Sequence, residues 1–250
     1  MFFMSNEALH TAQRILETAQ KIMAFTGAGL STESGISDYR SLGGLWQKYQ
    51  PVTFEEFLTD PHKRFEYWQR KKEMFAQIRL ARPNGGHIAL AGLEKNGRYL
   101  GTVTQNIDGL HQKAGSRRVL ELHGTNQEAV CLNCGLKDDF ETVYQKLLAG
   151  ADDPHCPSCN GQLKPNTISF GQPLNPDILS LAFDWARQCD VVLAVGSSLV
   201  VEPAASIPRT AVEYGAKLIL INRDATPLDS IAALSVKTDA AAFLNQLSGC

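Results

Sequence analysis

Four cysteines stand in two Cys-x-x-Cys pairs, Cys131 with Cys134 and Cys156 with Cys159. Each pair can clamp one edge of a tetrahedral Zn²⁺, and thiolates bring the negative charge the ion needs. Four thiolates fill every position, so such a zinc has no open place for water and is structural. Two disulfides or four unrelated thiols are the alternatives. A second group is polar: Gln105-Asn106-Ile107-Asp108 directly follows the apolar stretch 99–104. Side chains at a strand exit are well placed for chemistry, although Asn106 or Asp108 could equally cap a helix. His123 ends another apolar stretch, before Gly124, and an imidazole there could act as a general base near neutral pH. His10, His62, His87, His111 and His155 read as structural. A third group is glycine-rich: Gly27-Ala28-Gly29 through Ser34-Gly35 follows an apolar run. Glycines permit tight turning and close backbone approach, and a following helix N-terminus would aim free N–H groups at an anion. The spacing is not G-x-G-x-x-G, so a ligand-free turn is the competing reading.

These groups need elements to hold them. Residues 6–20 read as an amphipathic helix with Ala8, Ile15, Leu16 and Ala19 on one face. Short apolar runs at 21–26, 99–104, 190–195 and 217–221 alternate with helix-length segments such as 175–188 and 203–214. That alternation predicts an α/β fold: a Rossmann-type parallel sheet covered on both faces. Residues 41–81 read as a helical insert rich in aromatic and basic residues, and 126–163 as a small zinc-ribbon module. The expected division gives residues 1–40, 82–125 and 164–250 to the nucleotide-binding domain.

The chain has 250 residues and a formal charge of -2, enough length for a buried core and too little positive charge for a general grip on nucleic acid. The cysteine module sharpens this, with two Lys, no Arg and six acidic residues across 126–163. No apolar run approaches the roughly 18 residues of a membrane helix. The N-terminal residues lack the basic start of a signal peptide, so a cytoplasmic location is expected, where disulfides are a poor explanation for the cysteines. Cys189 is expected to be buried and inert.

Taken in order, these pieces resemble the sirtuins, NAD-dependent protein-lysine deacylases. The matching residues are Gly27-Ala28-Gly29, Ser34-Gly35-Ile36, Asp38-Tyr39-Arg40, Thr104-Gln105-Asn106-Ile107-Asp108, Leu122-His123-Gly124, the four cysteines, Phe170-Gly171, Gly196-Ser197-Ser198-Leu199 and Asn222. They span about residues 20–240. The resemblance implies that NAD and an acylated lysine of a protein or peptide meet in a cleft between the two lobes. Ala28, Gly29 and the Asp38, Tyr39, Arg40 segment would hold the diphosphate and ribose, and Gln105 the nicotinamide-side ribose. Asn106, Ile107 and Asp108 would line the nicotinamide pocket, and Gly196, Ser197, Ser198 and Asn222 would meet the adenosine half. Phe170, Gly171, Val200 and Val201 would flank the substrate backbone as strands, a form of β-augmentation.

In the implied chemistry the acyl oxygen attacks the ribose carbon as nicotinamide leaves. His123 then takes a proton from a ribose hydroxyl, and water releases free lysine and O-acyl-ADP-ribose. Three residues depart from the family pattern: Ser37 where proline is usual, Gln172 where an acid is usual, and Glu202 where many relatives have tyrosine. Tyr67 and Arg70 form a Tyr-x-x-Arg pair that in some sirtuins binds a succinyl or malonyl carboxylate. A solvated basic helix face is the simpler reading, and acetyl is the expected acyl group. An NAD glycohydrolase or mono-ADP-ribosyltransferase on the same scaffold, and a non-catalytic NAD- or acyl-lysine-binding module, are the competing functions.

Overall fold

The computed structural model describes residues 6–37 and 50–248. A six-stranded parallel sheet has the order β3-β2-β1-β7-β8-β9, and a three-stranded antiparallel sheet the order β5-β4-β6. In the large sheet the strands are β1 (Ile22–Thr26), β2 (Tyr99–Thr104), β3 (Val119–Glu121), β7 (Val191–Val195), β8 (Lys217–Asn222) and β9 (Leu234–Lys237). Every residue of β1 and β7 is buried, the condition of central strands covered on both faces.

The pleat of β1 divides its side chains between two cores. Met23 and Phe25 face one way, onto Trp185 and Ala186 of α7 (Pro176–Gln188) and Ile207 of α8 (Ser206–Glu213). Ile22 and Ala24 face the other, with Ala12 of α1 (Asn6–Thr18), Leu90 of α4 (Gly85–Leu93) and Phe243 of α9 (Ala240–Ser248). The chain steps from β1 to β2 on one side and returns to β7 on the other. The strand order therefore reverses between β1 and β7, and their carboxyl ends open the crevice where doubly wound sheets bind ligands.

The second lobe joins two parts of the sequence. Its sheet comprises β4 (Gly124–Cys131), β5 (Lys137–Asp139) and β6 (Leu163–Thr167), with α6 (Phe140–Leu148) alongside. From the insert come α2 (Phe54–Thr59) and α3 (Pro61–Leu80). Asp60 caps α3 by accepting from the N–H groups of His62 and Lys63, and Pro61 occupies its first turn. Trp68 of α3 stacks on Phe140 of α6 at 6.3 Å, and Phe75 meets the same ring edge-on at 4.5 Å. The buried Arg64 ties the parts further, with Nε 2.8 Å from Asp153 and Nη1 donating to the Phe57 carbonyl at 3.0 Å.

Three expectations change here. The insert is not mainly a solvated face, because Tyr67, Trp68, Phe75 and Ile78 are buried. It shares one aromatic core with the cysteine module. The small sheet is also wider than 126–163, since Gly124 pairs with Thr167 at its inner end. Strand pairing, not the span of the cysteines, sets that border.

Candidate active site

At the carboxyl ends of β1 and β7 two backbones pack against each other. Gly29 N–H donates to the Gly196 carbonyl at 2.8 Å. A Cβ on Gly29 would lie 2.9 Å from the Gly196 Cα, and one on Gly196, whose φ is +61°, would lie 2.3 Å from the Leu30 nitrogen. The glycines are thus required first by protein–protein contact inside the crevice wall. The α-helix expected after the glycines is replaced by two short 3₁₀ turns, Ala28–Leu30 and Thr32–Ser34. Gly35 at φ +82° ends the second turn. Asn222 closes β8 beside this point, since Gly196 N–H donates to the Ile221 carbonyl at 2.9 Å.

From the end of β2, Asn106 and Asp108 turn into the crevice and are almost fully buried. The Asn106 amide donates to the Gly27 carbonyl at 3.1 Å and to the Ser31 hydroxyl at 3.2 Å. Ser31 donates in turn to the Asp108 carboxylate at 2.8 Å, and the other Asp108 oxygen accepts from Leu110 N–H at 2.9 Å. Asp108 therefore both accepts from the first N–H of the following short helix, α5 (Leu110–Lys113), and faces the site. Ala28, Ser31, Ile36, Asn106, Ile107 and Asp108 line one cavity, joined by Ser37 and by Met74, Gln77 and Ile78 of α3. An amide, a hydroxyl and a carboxylate set among apolar walls are complementary to a flat aromatic carboxamide.

Behind them lie two histidines. The His87 and His111 rings meet edge-on at 5.0 Å, and His87 Nε2 is 3.5 Å from the Ser31 hydroxyl. His111 Nε2 lies 2.9 Å from Thr26 Oγ1, which donates to Thr104 Oγ1 at 2.8 Å. Burial pushes His87 down to about 4 and His111 down to about 3, so both are neutral at physiological pH. Sequence reasoning placed both among the structural histidines and did not single out Ser31. The glycine-rich string held the Ser31 signal, but nothing in it marked which hydroxyl reaches Asp108.

His123 lies between β3 and β4, at the junction of the lobes. Its Nδ1 is 3.0 Å from the Gln105 carbonyl, an acceptor, so Nδ1 carries the proton and Nε2 the lone pair. Burial lowers its pKa, with the Gln105 hydrogen bond opposing, which favours the neutral base. The Gln105 side chain is itself held, its Oε1 accepting from Ser197 at 2.7 Å. Ser197 after β7 and His123 after β3 thus both hold Gln105 after β2, one at its side chain and the other at its carbonyl.

At the other end of β4 the Sγ atoms of Cys131, Cys134, Cys156 and Cys159 all lie within 4.8 Å of one another. Each knuckle ends on a left-handed residue, Gly135 at φ 74° and Asn160 at φ 57°. Cys134 N–H points at Cys131 Sγ at 3.4 Å. Four converging thiols with no disulfide fit a tetrahedral zinc site. The eight residues of β4 separate it from His123, so it does not touch the chemistry. Cys189 is buried as expected, and burial pushes its thiol up to about 12.

Other expected residues fall in different settings. Phe170 and Val200 are exposed apolar side chains, but neither 170–171, which is a turn, nor 200–201 is a strand. Tyr67 and Arg70 do not aim at one point. The buried Tyr67 hydroxyl is 3.4 Å from Thr167 Oγ1, whereas Arg70 pairs with Glu66 at 3.1 Å and donates to the Gln50 carbonyl. Ser198 follows Ser197 in the loop after β7. Asp38, Tyr39 and Arg40 lie outside the described residues.

The crevice places the chain among dinucleotide-binding α/β proteins. The Sir2 family model matches residues 27–203, and the chain belongs to that family. It is 44% identical to an NAD-dependent protein deacetylase of Thermodesulfovibrio yellowstonii over 229 residues, covering 92% of this chain and 90% of that protein. It is 40% identical to an NAD-dependent protein deacylase of Aeropyrum pernix over 245 residues, covering 97% of each. A solved Sir2 structure with a p53 peptide and NAD⁺ superposes with a TM-score of 0.88 at 36% identity, over 96% of each chain.

Proposed function

We propose that His123 is the general base of an NAD-dependent protein-lysine deacylase, with Asn106 and Asp108 holding the nicotinamide end of the co-substrate. The observation that carries this reading is the His123 ring, fixed through Nδ1 on the carbonyl of Gln105, the residue before Asn106, so that Nε2 carries the lone pair. Both relatives named above are deacylases of this type, and the solved Sir2 structure pairs peptide with NAD⁺. When bound, NAD supplies a sugar carbon that accepts the acyl oxygen as nicotinamide departs. The chain's own residues do the rest. Ser31 orients the Asp108 carboxylate and Asn106, Gln105 anchors the nearby ribose, and His123 takes a proton from a sugar hydroxyl. A base of this kind is worth about 10² to 10⁴ in rate.

Ala28, Gly29 and the Asp38, Tyr39, Arg40 segment hold the diphosphate side, and Gly196, Ser197, Ser198 and Asn222 the adenosine side. A peptide laid between 170–171 and 200–201 supplies the middle strand that those segments lack. The large-sheet segments bind the nucleotide, and the insert with the small sheet, whose pairing runs from Gly124 to Thr167, forms the facing lobe. A tetrathiolate zinc also suits the reducing cytoplasm.

The test is nicotinamide release from NAD by the purified protein, with and without an acetyl-lysine peptide. Release should require the peptide and yield O-acetyl-ADP-ribose with free lysine. Equal release without peptide, giving free ADP-ribose, would identify a glycohydrolase. Label on protein would identify an ADP-ribosyltransferase.

A further inference from the structure

Thr26 ends β1, Thr104 ends β2 and His111 lies in α5, and their polar atoms form one chain. Thr26 Oγ1 donates to Thr104 Oγ1 at 2.8 Å, and Thr104 Oγ1 also accepts from Asn106 N–H at 3.0 Å. Because the Thr26 proton is directed at Thr104, the Thr26 oxygen is left to accept. His111 Nε2, 2.9 Å away, is therefore the donor. The other ring nitrogen, Nδ1, has no hydrogen-bond partner among the described residues. An N–H left unpaired in the interior is rarer than an unpaired acceptor, so this too puts the single proton of the ring on Nε2. His111 is 1% exposed, and a second proton on Nδ1 would meet no acceptor. Burial, with the His87 ring edge-on at 5.0 Å, holds the imidazole down at about 3, so the donor keeps one form across the physiological range.

The chain ends where the site begins. Asn106 opens the turn whose side chains enter the crevice. Its amide reaches the Gly27 carbonyl and Ser31, and Ser31 reaches Asp108. The far end of that turn is held by the helix that carries His111, since Leu110 N–H donates to Asp108 at 2.9 Å. The near end is held through Thr104, and by Gln105 N–H on the Thr26 carbonyl at 2.9 Å. One hydrogen bond, from His111 to Thr26, joins the two anchors. Without it α5 and the strand ends could shift against each other, and the Asn106 amide and the Asp108 carboxylate would shift with them.

We propose that His111 is a positioning residue for the nicotinamide end of NAD: as a fixed Nε2 donor to Thr26, it sets where Asn106 and Asp108 stand. The inference rests on the reading of those two residues as the nicotinamide contacts. It separates two histidines by role. His123 takes a proton in the reaction, and His111 never exchanges its own.

The experiment measures, by calorimetry on zinc-loaded protein, the affinity for NAD and for ADP-ribose, which lacks the nicotinamide. Melting temperature and nicotinamide release with and without an acetyl-lysine peptide are taken alongside. His111→Leu removes the donor and Thr26→Val the hydroxyl at nearly constant shape. His111→Gln and Thr26→Ser keep them. His111→Leu and Thr26→Val should each weaken NAD by roughly threefold to tenfold, the range of one neutral hydrogen bond, and leave ADP-ribose within about twofold of the wild type. The two together should weaken NAD no further than the stronger one alone, because both break the same chain. The Gln and Ser variants should hold NAD near the wild-type affinity. Equal losses for NAD and ADP-ribose, or a lower melting temperature with both affinities unchanged, overturns the inference, for the ring then serves the core alone. A wild type that releases nicotinamide no faster with peptide overturns the deacylase reading, and the NAD-to-ADP-ribose comparison still decides the role of His111. A wild type that binds no NAD overturns both.

Discussion

The crevice of the large sheet and the cysteine module hold their functional atoms in opposite ways. In the crevice, position comes from packing: fully buried β1 and β7 bring Gly29 onto Gly196, and Ser31, Asn106 and Asp108 then satisfy one another. In the module four thiols converge at the far end of β4, and the nearby strand β5 is only three residues long. Its aromatic core borrows α2 and α3 from the insert. A metal must supply there what a large core supplies in the crevice. The two regions should therefore fail in different ways.

Metal removal should separate them most. Structural zinc contributes on the order of 10–16 kcal/mol in small modules. Stripping it with a strong chelator, or replacing Cys156 by Ser, should abolish deacylation and expose Trp68 of the shared core to solvent, while Trp185 in the large-sheet core stays buried. Tryptophan accessibility measured by quenching, beside zinc content, reads this directly. Retained turnover after full zinc loss would break the contrast.

His123→Ala should act with the opposite signature. Turnover should fall by about 10² to 10⁴ with zinc content and melting temperature unchanged, since the ring contributes one base and one hydrogen bond. The acid limb of kcat/KM in the wild type should fall below the ordinary imidazole range, because burial lowers this pKa. An acid limb above that range would mean that another group titrates.

A third change tests whether the crevice depends on backbone contact. Gly196→Ala places a methyl 2.3 Å from the Leu30 nitrogen at a φ of +61°. Strain and clash together should cost about 3 kcal/mol or more, with NAD affinity falling in parallel. Gly35→Ala is the comparison: it shares the positive φ, at +82°, but nothing lies within 4 Å of the new atom. It should cost only the conformational part, about 1 kcal/mol. Equal losses in denaturant titrations would show that φ, not approach, is what the glycine at 196 serves.

Legibility followed the range of each interaction. The cysteine spacing was readable because metal ligation fixes residue type and short separation together. The buried strands were readable because both faces demand apolar side chains, and four of them fell within a residue of the expected runs. In the crevice the strand-exit residues Asn106 and Asp108 and the glycine run were legible as candidates, and their roles only as a resemblance. Ser31 meets Asp108 across 77 residues, and His87 meets His111 across the packing of α4 on α5, so no local pattern marks either pair. The shared core of insert and module was missed for the same reason: Trp68 and Phe140 belong to segments that look separate in sequence.

The smallest expected effect lies in the pH dependence of stability, and its sign follows from the buried groups. His87 and His111 are held at about 4 and about 3, and His123 is also lowered. The unfolded chain takes up their protons near 6.5, before the folded one does. Stability from these histidines is therefore complete above about pH 6.5 and is lost as the pH falls toward 4, by at most about 1.4 kcal/mol per pH unit per group. Glu121 works in reverse. Burial raises it to about 7, so the folded chain binds that proton first and gains stability as the pH falls from 7 toward 4.5. Between pH 6.5 and 5 the histidines outnumber the glutamate, and the protein should weaken on acidification. His111→Asn should flatten the slope and Glu121→Gln should steepen it, in denaturant midpoints taken across that interval. A slope that Glu121→Gln leaves unchanged would mean that the carboxyl in the wall of the lobe junction is ionised like any exposed acid.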